Sequence, residues 1–183
     1  MNIQFYFEKL LNSTVFKEFS KENPEAYLCS GFFVIDRQKS EILASSSTSS
    51  QTKEGKDDTA HLDYFLPKEK EMVSFHLDSM QKIPVKLFND IVPEPISSDI
   101  DFEFNEIENL IIKKMGDEKI TNTAQKMIFS LQKLNGKEIL VGNVFISMLG
   151  IIKVNIDLSE MKIVEFQKKS IFDIVNVLKK DDK

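Results

Sequence analysis

Chemistry at neutral pH most often runs through histidine, cysteine or paired carboxylates, and this chain is sparing with the first two. It holds His61, His76 and Cys29 and no others of either type. A metal centre needs several such ligands converging at characteristic spacings, and neither HExxH nor CxxC occurs. The expectation is therefore no metal site. Cys29 and His76 are the one conceivable nucleophile and base pair, read as lying on adjacent strands. No orienting third group or oxyanion hole is visible beside them. A lone cysteine at the start of a strand, ahead of "SGFFVID" (30–36), reads as a small core residue, so no catalytic residue is assigned.

His76 alternates with Phe75 and Leu77, which places it on the opposite face of its strand. His61 borders a polar low-complexity stretch and is expected to be solvated. The six glycines form neither GxGxxG nor GxxxxGK[ST], the arrangements that bring backbone amides onto phosphate, so no cofactor is expected. The carboxylates of "DIDFEFNEIE" (99–108) lead into a helix N-terminus, where the dipole favours acids. Those of Asp57 and Asp58 sit in the low-complexity stretch. Both are read as solvated. Asn12-Ser13-Thr14 has the form of a glycosylation sequon, but a chain in the cytosol would not use it.

Composition narrows the classes further. With 183 residues, 42% of them hydrophobic, the chain can bury a sizeable core. Phenylalanine supplies 15 aromatics against 3 tyrosines and no tryptophan, which suits an interior better than a membrane interface or base-stacking surface. Lys and Arg number 24 against 29 Asp and Glu, for a net charge of −5. No basic cluster is present to neutralise phosphates, so nucleic acid is not expected as a partner. One cysteine allows no intrachain disulfide, which suits a reducing compartment. The opening "MNIQFYFEKLL" lacks the basic n-region of a signal peptide. The longest uncharged run, 139–152, falls short of the roughly 20 residues of a spanning helix. The expectation is a cytoplasmic protein with no membrane association.

The elements that would position any site follow from hydrophobic periodicity. Ile3, Phe7, Leu10 and Leu11 form one helical stripe. A polar break at 12–14 separates it from a second amphipathic turn carrying Val15, Phe16 and Phe19, ended by Asn23-Pro24. Ile107, Leu110, Ile111 and Met115 mark a helix over about 106–115, with Asn105 and Glu108 as a capping box and Gly116 as the stop. Ser170 and Asp173 would cap a short terminal helix, about 171–179. Strands are read in "QKMIFSLQKL", "EILVGNVFISM", "IIKVNIDL" and "KIVEFQK", with Asn135-Gly136 as a hairpin turn. The second of these is apolar on both parities, so both of its faces should be covered.

A repeat organises these elements. "VSFHLDSM" (73–80) matches "VNIDLSEM" (154–161) at an offset of 81. "FFVIDRQKSEI" (32–42) resembles "FSLQKLNGKEI" (129–139) at an offset of 97. The difference of 16 equals the length of "SSSTSSQTKEGKDDTA" (45–60), read as a flexible insertion too polar to order itself. The chain thus reads as two α+β units in tandem, each a helix followed by an antiparallel meander. Residues 1–91 form the first, "VPEPISSD" (92–99) the linker, and 100–183 the second with its terminal helix.

On the helix-then-meander order and the "VNIDLSEMKIV" hairpin, residues 100–168 resemble PepSY domains, which are cystatin-like. The segments "ENPEAYLCSGFFVID" (22–36) and "DYFLPKEKEMVSF" (63–75) resemble uncharacterised archaeal and bacterial cytosolic proteins of two-unit plan. The resemblance implies a peptide-binding role. The expected function is a non-enzymatic protein- or peptide-binding or assembly module working through a sheet face or edge, with a homodimer or a protein or peptide as partner. The alternative is a small-molecule binder or enzyme with its pocket between the repeats.

Overall fold

A computed structural model describes residues 2–37, 59–87 and 91–170. These contain three helices, α1 (Ile3–Leu11), α2 (Thr14–Glu22) and α3 (Phe104–Asp117). They also contain eight strands: β1 (Tyr27–Asp36), β2 (Ala60–Leu66), β3 (Glu71–His76), β4 (Gln81–Val85), β5 (Ala124–Leu134), β6 (Lys137–Ile146), β7 (Gly150–Asp157) and β8 (Lys162–Ser170). All eight join one antiparallel sheet in the order β4-β3-β2-β1-β5-β6-β7-β8. The protein is α+β. Each half of the chain runs a meander outward from the middle, and the two meet where β1 pairs with β5 through Phe33 and Phe129.

The helices form where the stripes place them. Asn2 caps α1, its side chain accepting from the Gln4 amide, and Ser13 caps α2 by accepting from the Phe16 amide; each satisfies an amide that the first turn leaves unpaired. The three pack on one face of the sheet. Tyr6 of α1 and Phe104 of α3 meet Phe33 at ring-centroid distances of 5.3 and 5.0 Å. Phe16 and Phe19 of α2 meet Phe75 at 5.3 and 4.9 Å. Phe33, Phe129, Leu131, Leu140, Val144, Ile152 and Val154 are all at or below 1% exposure beneath them, in one core shared by both halves. Each such side chain contributes roughly 1.5–3 kcal/mol by leaving water.

Gly142 of β6 is required by this packing. A Cβ there would lie 2.5 Å from the ring of Phe129 on β5, so the absent side chain is the space the ring fills. Asn135 and Gly136, with φ of 53° and 78°, form the expected hairpin turn between β5 and β6; both central residues of a type I′ turn need that sign of φ.

Several expectations are corrected. The capping box at Asn105 does not form: α3 begins two residues earlier than expected, with Glu103 as N-cap and no side-chain cap bond, and Glu108 pairs with Arg37 at 2.8 Å. Gly116 lies inside α3, and the left-handed position beyond it is taken by Lys119, φ 58°. The strand read through Met148 stops at Ile146, because Met148 and Leu149 adopt φ of 63° and 58° and turn the chain back at 90% and 58% exposure. Ala60, read as the end of the flexible insertion, opens β2 and is buried. Residues 45–58 of that insertion, and the helix expected over 171–179, lie outside the described residues.

The two sequence matches fare differently. At offset 81 the hairpins agree: Leu77 and Leu158 each open a four-residue turn and are buried, and Met80 and Met161 each close it at φ of 52° and 47°. At offset 97 the facing is inverted. Phe32 points away from the helices while Phe129 points toward them, and Phe33, not Phe32, lies opposite Phe129. An odd shift moves every side chain of a strand to the other face, so that pairing and the length of 16 drawn from it do not hold.

The linker is stitched down. Tyr27 Oη donates to the Pro93 carbonyl at 2.9 Å, the Ile96 amide donates to the Leu28 carbonyl at 2.8 Å, and Ile96 is buried.

Candidate functional site on the sheet face opposite the helices

Strand alternation sends the other set of side chains to the face away from the helices. At its centre Ile128 of β5 lies opposite Val34 of β1, and Phe145 of β6 lies opposite Ile151 of β7. Val141 and Phe145 stand diagonal to Ile128, within reach across the β5–β6 ladder. These five, with Phe32, are half-buried. The apolar second parity of β6, expected to be covered, thus faces a side on which no described helix packs.

Toward β3 the same face turns polar. Phe32, His61 and His76 are successive cross-strand neighbours, and their rings stack at 4.8 Å and 12°, then 5.0 Å and 26°. His61 was expected to be solvated; instead its side chain is 23% exposed, held between the two rings. Burial lowers its pKa from the ordinary histidine value, and nearby His76 adds to this, against the opposing pull of Asp63 and Asp78. Two residues along β2, Asp63 lies between Ser30 of β1 and Ser74 of β3. Asp63 is 8% exposed and Ser74 2%. Among the described residues nothing hydrogen-bonds Asp63 Oδ1, Ser74 Oγ or His61 Nδ1, and His61 Nε2 stands 3.9 Å from Asp63 Oδ1, beyond hydrogen-bond reach.

His76 and Cys29 are not brought together, since β2 lies between their strands. The Cys29 thiol donates to the Asp63 carbonyl at 3.3 Å. Burial, helped by the Asp63 charge, pushes its pKa up to about 12, so the thiolate needed for attack is suppressed. Among the described residues no group of three or more His, Cys, Asp or Glu is arranged to hold a metal ion. No described helix is long and apolar enough to cross a membrane. A shallow hollow lies at Glu22–Ala26 and Leu66–Glu69, within the first half and away from the β1–β5 junction.

Sequence reasoning gave His76 its outward facing but missed Asp63 and Ser74. The signal for Asp63 was a lone acid inside "AHLDYFL", a strand otherwise apolar but for His61. Ser74 sits beside it only through the β2–β3 register, which the sequence did not specify. No known protein family, curated protein or solved structure matches the chain.

Proposed function

We propose that the chain is a non-enzymatic protein-binding module that docks a partner protein on the sheet face opposite its helices. The supporting observation is the half-buried apolar group around Ile128, with Val34, Val141 and Phe145, on a face against which no described helix packs. Large apolar patches on one side of a sheet are where a second layer or a partner is expected. The sheet edges are the weaker candidates. Pro84 interrupts β4, and Lys162, Lys168 and Lys169 stud β8, both of which discourage strand addition. A pocket between the halves has less support, since β1 and β5 close on each other by a continuous ladder.

In the same reading the two halves are duplicated helix-plus-meander units, supported by the mirrored strand order and the matching turns that end in Met80 and Met161. Their PepSY-like, cystatin-like character rests on element order alone. A cytoplasmic location belongs to the same reading, supported by the lone cysteine.

The test uses light scattering after size exclusion, with affinity capture from the source cells, on wild type and two variants. Ile128→Glu should abolish the complex or dimer that wild type forms while leaving the melting transition cooperative. Ile112→Glu, on α3 where that residue is 40% exposed, should leave the complex intact. A complex that survives Ile128→Glu, or a wild type that stays monomeric and captures nothing, overturns the proposal.

A further inference from the structure

The polar end of this face is incomplete in a way that specifies what would complete it. Asp63 and Ser74 are 8% and 2% exposed, each faces the other across β2 and β3, and neither Asp63 Oδ1 nor Ser74 Oγ has a partner among the described residues. A carboxylate offers acceptors only, so whatever meets it must bring N–H or O–H donors. A buried charge also demands an opposite one. Strands β1 to β4 supply none on this face. By alternation their outward positions include Asp36 and Asp63 and the two histidines, but no lysine or arginine. His61, whose Nε2 is the nearest nitrogen described in an ion pair with Asp63, is 3.9 Å away.

Shape adds a second condition. Beside the carboxylate runs the row of flat rings formed by Phe32, His61 and His76. A guanidinium is planar, is more weakly hydrated than an ammonium, rests against aromatic rings and forks onto a carboxylate through paired N–H groups. A lysine ammonium meets the charge condition and not the shape.

We propose that Asp63, Ser74 and the Phe32–His61–His76 ring row form a receptor for an arginine side chain of the protein that docks on this face. The assignment rests on the docking reading above and deepens it. The apolar group around Ile128 supplies contact area, and the Asp63 carboxylate beside the ring row supplies selection.

Three capped tripeptides, Gly-Arg-Gly, Gly-Lys-Gly and Gly-citrulline-Gly, would be titrated into the full chain while the imidazole resonances of His61 and His76 are followed by NMR. The arginine peptide should move both saturably. Citrulline, with the same shape and no charge, should bind at least about tenfold more weakly, and lysine should fall between them. Asp63→Asn, checked for an unchanged fold by its melting curve, should abolish the preference for arginine over citrulline; Ser74→Ala should weaken arginine binding less. Equal responses to arginine and citrulline, equal responses to arginine and lysine, or an undiminished preference in Asp63→Asn each overturn the assignment. A partner lost from Ile128→Glu but retained by Asp63→Asn would overturn this inference and leave the docking face standing. Arginine binding by a chain that captures no partner would sink the docking reading instead.

Discussion

Asp63 and Asp157 are both buried, and each ends up on strands of one sheet, yet their surroundings are opposite. Asp157, at the end of β7, accepts from Lys137 Nζ at 2.7 Å, from Ser159 Oγ at 2.6 Å and from the Ser159 and Glu160 amides at 3.0 and 3.3 Å. The Lys137 hydrogen bond, then that of Ser159, holds its carboxyl down to about 2. Among the described residues Asp63, in the middle of β2, has an unpartnered oxygen and no lysine or arginine at the outward positions of β1 to β4. The aspartate of one half is closed by partners from its own hairpin, and that of the other has an oxygen without one. An acid that is fully bonded inside the chain serves stability, whereas one left open at a structural cost is a candidate for serving something outside it.

The contrast between the two faces of the sheet should give the largest effects. Phe129→Ala removes a ring that is fully buried under the helices and fills the space above Gly142. It should cost about 3–5 kcal/mol in chemical denaturation. Phe32→Ala, on the opposite face and half-buried, should cost less than half as much. Equal losses would mean that the second face is as thoroughly packed as the first. Next comes the contrast between the aspartates. Asp157→Ala strands Lys137, Ser159 and two amides at a hairpin and should lower the melting temperature. Asp63→Val replaces an unsatisfied buried acid with a strand-forming residue and should raise stability by about 1–2 kcal/mol. A loss at Asp63 comparable to that at Asp157 would show that Asp63 is also satisfied within the chain.

Acid titration separates the same two regions by pH. Asp157 has its pKa lowered on folding, so its contribution is present above the ordinary carboxylate value and is lost as pH falls toward about 2. His61 also has its pKa lowered, mainly by burial among Phe32 and His76 with Asp63 and Asp78 nearby. The folded chain then resists protonating it, and stability should decline as pH drops below about 6.5, the unfolded histidine value. His61→Gln should flatten the decline that sets in below about pH 6.5, while Lys137→Met should flatten the change belonging to Asp157 at lower pH. An unaltered slope in His61→Gln would mean that the histidine is solvated after all.

What could be read beforehand follows the physics of local and non-local signals. Helical stripes such as Ile107, Ile111 and Met115, and the Asn135-Gly136 turn, are fixed by neighbours within a few residues, and the sequence displays them directly. The hairpin repeat at offset 81 was legible because Leu77 and Met80 recur with their spacing at Leu158 and Met161. The offset of 97 misled because residue likeness between "FFVID" and "FSLQK" carries no information on which face a strand buries. That is decided by Phe33 and Phe129 meeting across the β1–β5 junction. The site was hidden for the same reason: Asp63 and Ser74 are 11 positions apart in the chain and become neighbours only through register.

Ser74→Ala should give the smallest effect and the cleanest reading of it. A hydroxyl buried at 2% exposure with no partner among the described residues is a loss that the fold carries, so deleting it should stabilise the chain by up to about 1 kcal/mol, the lower part of the cost of an unsatisfied polar group. The serine on the other side of Asp63 supplies the control. Ser30 is half-buried and can turn to solvent, so Ser30→Ala should change stability by less than about 0.5 kcal/mol. If Ser74→Ala destabilises instead, the hydroxyl has a partner within the chain, and the polar group around Asp63 is closed in the same manner as the one around Asp157. If it stabilises while Asp63→Val also does, the two open atoms are independent costs at one spot, which is the condition a binding site for a donor-bearing group requires.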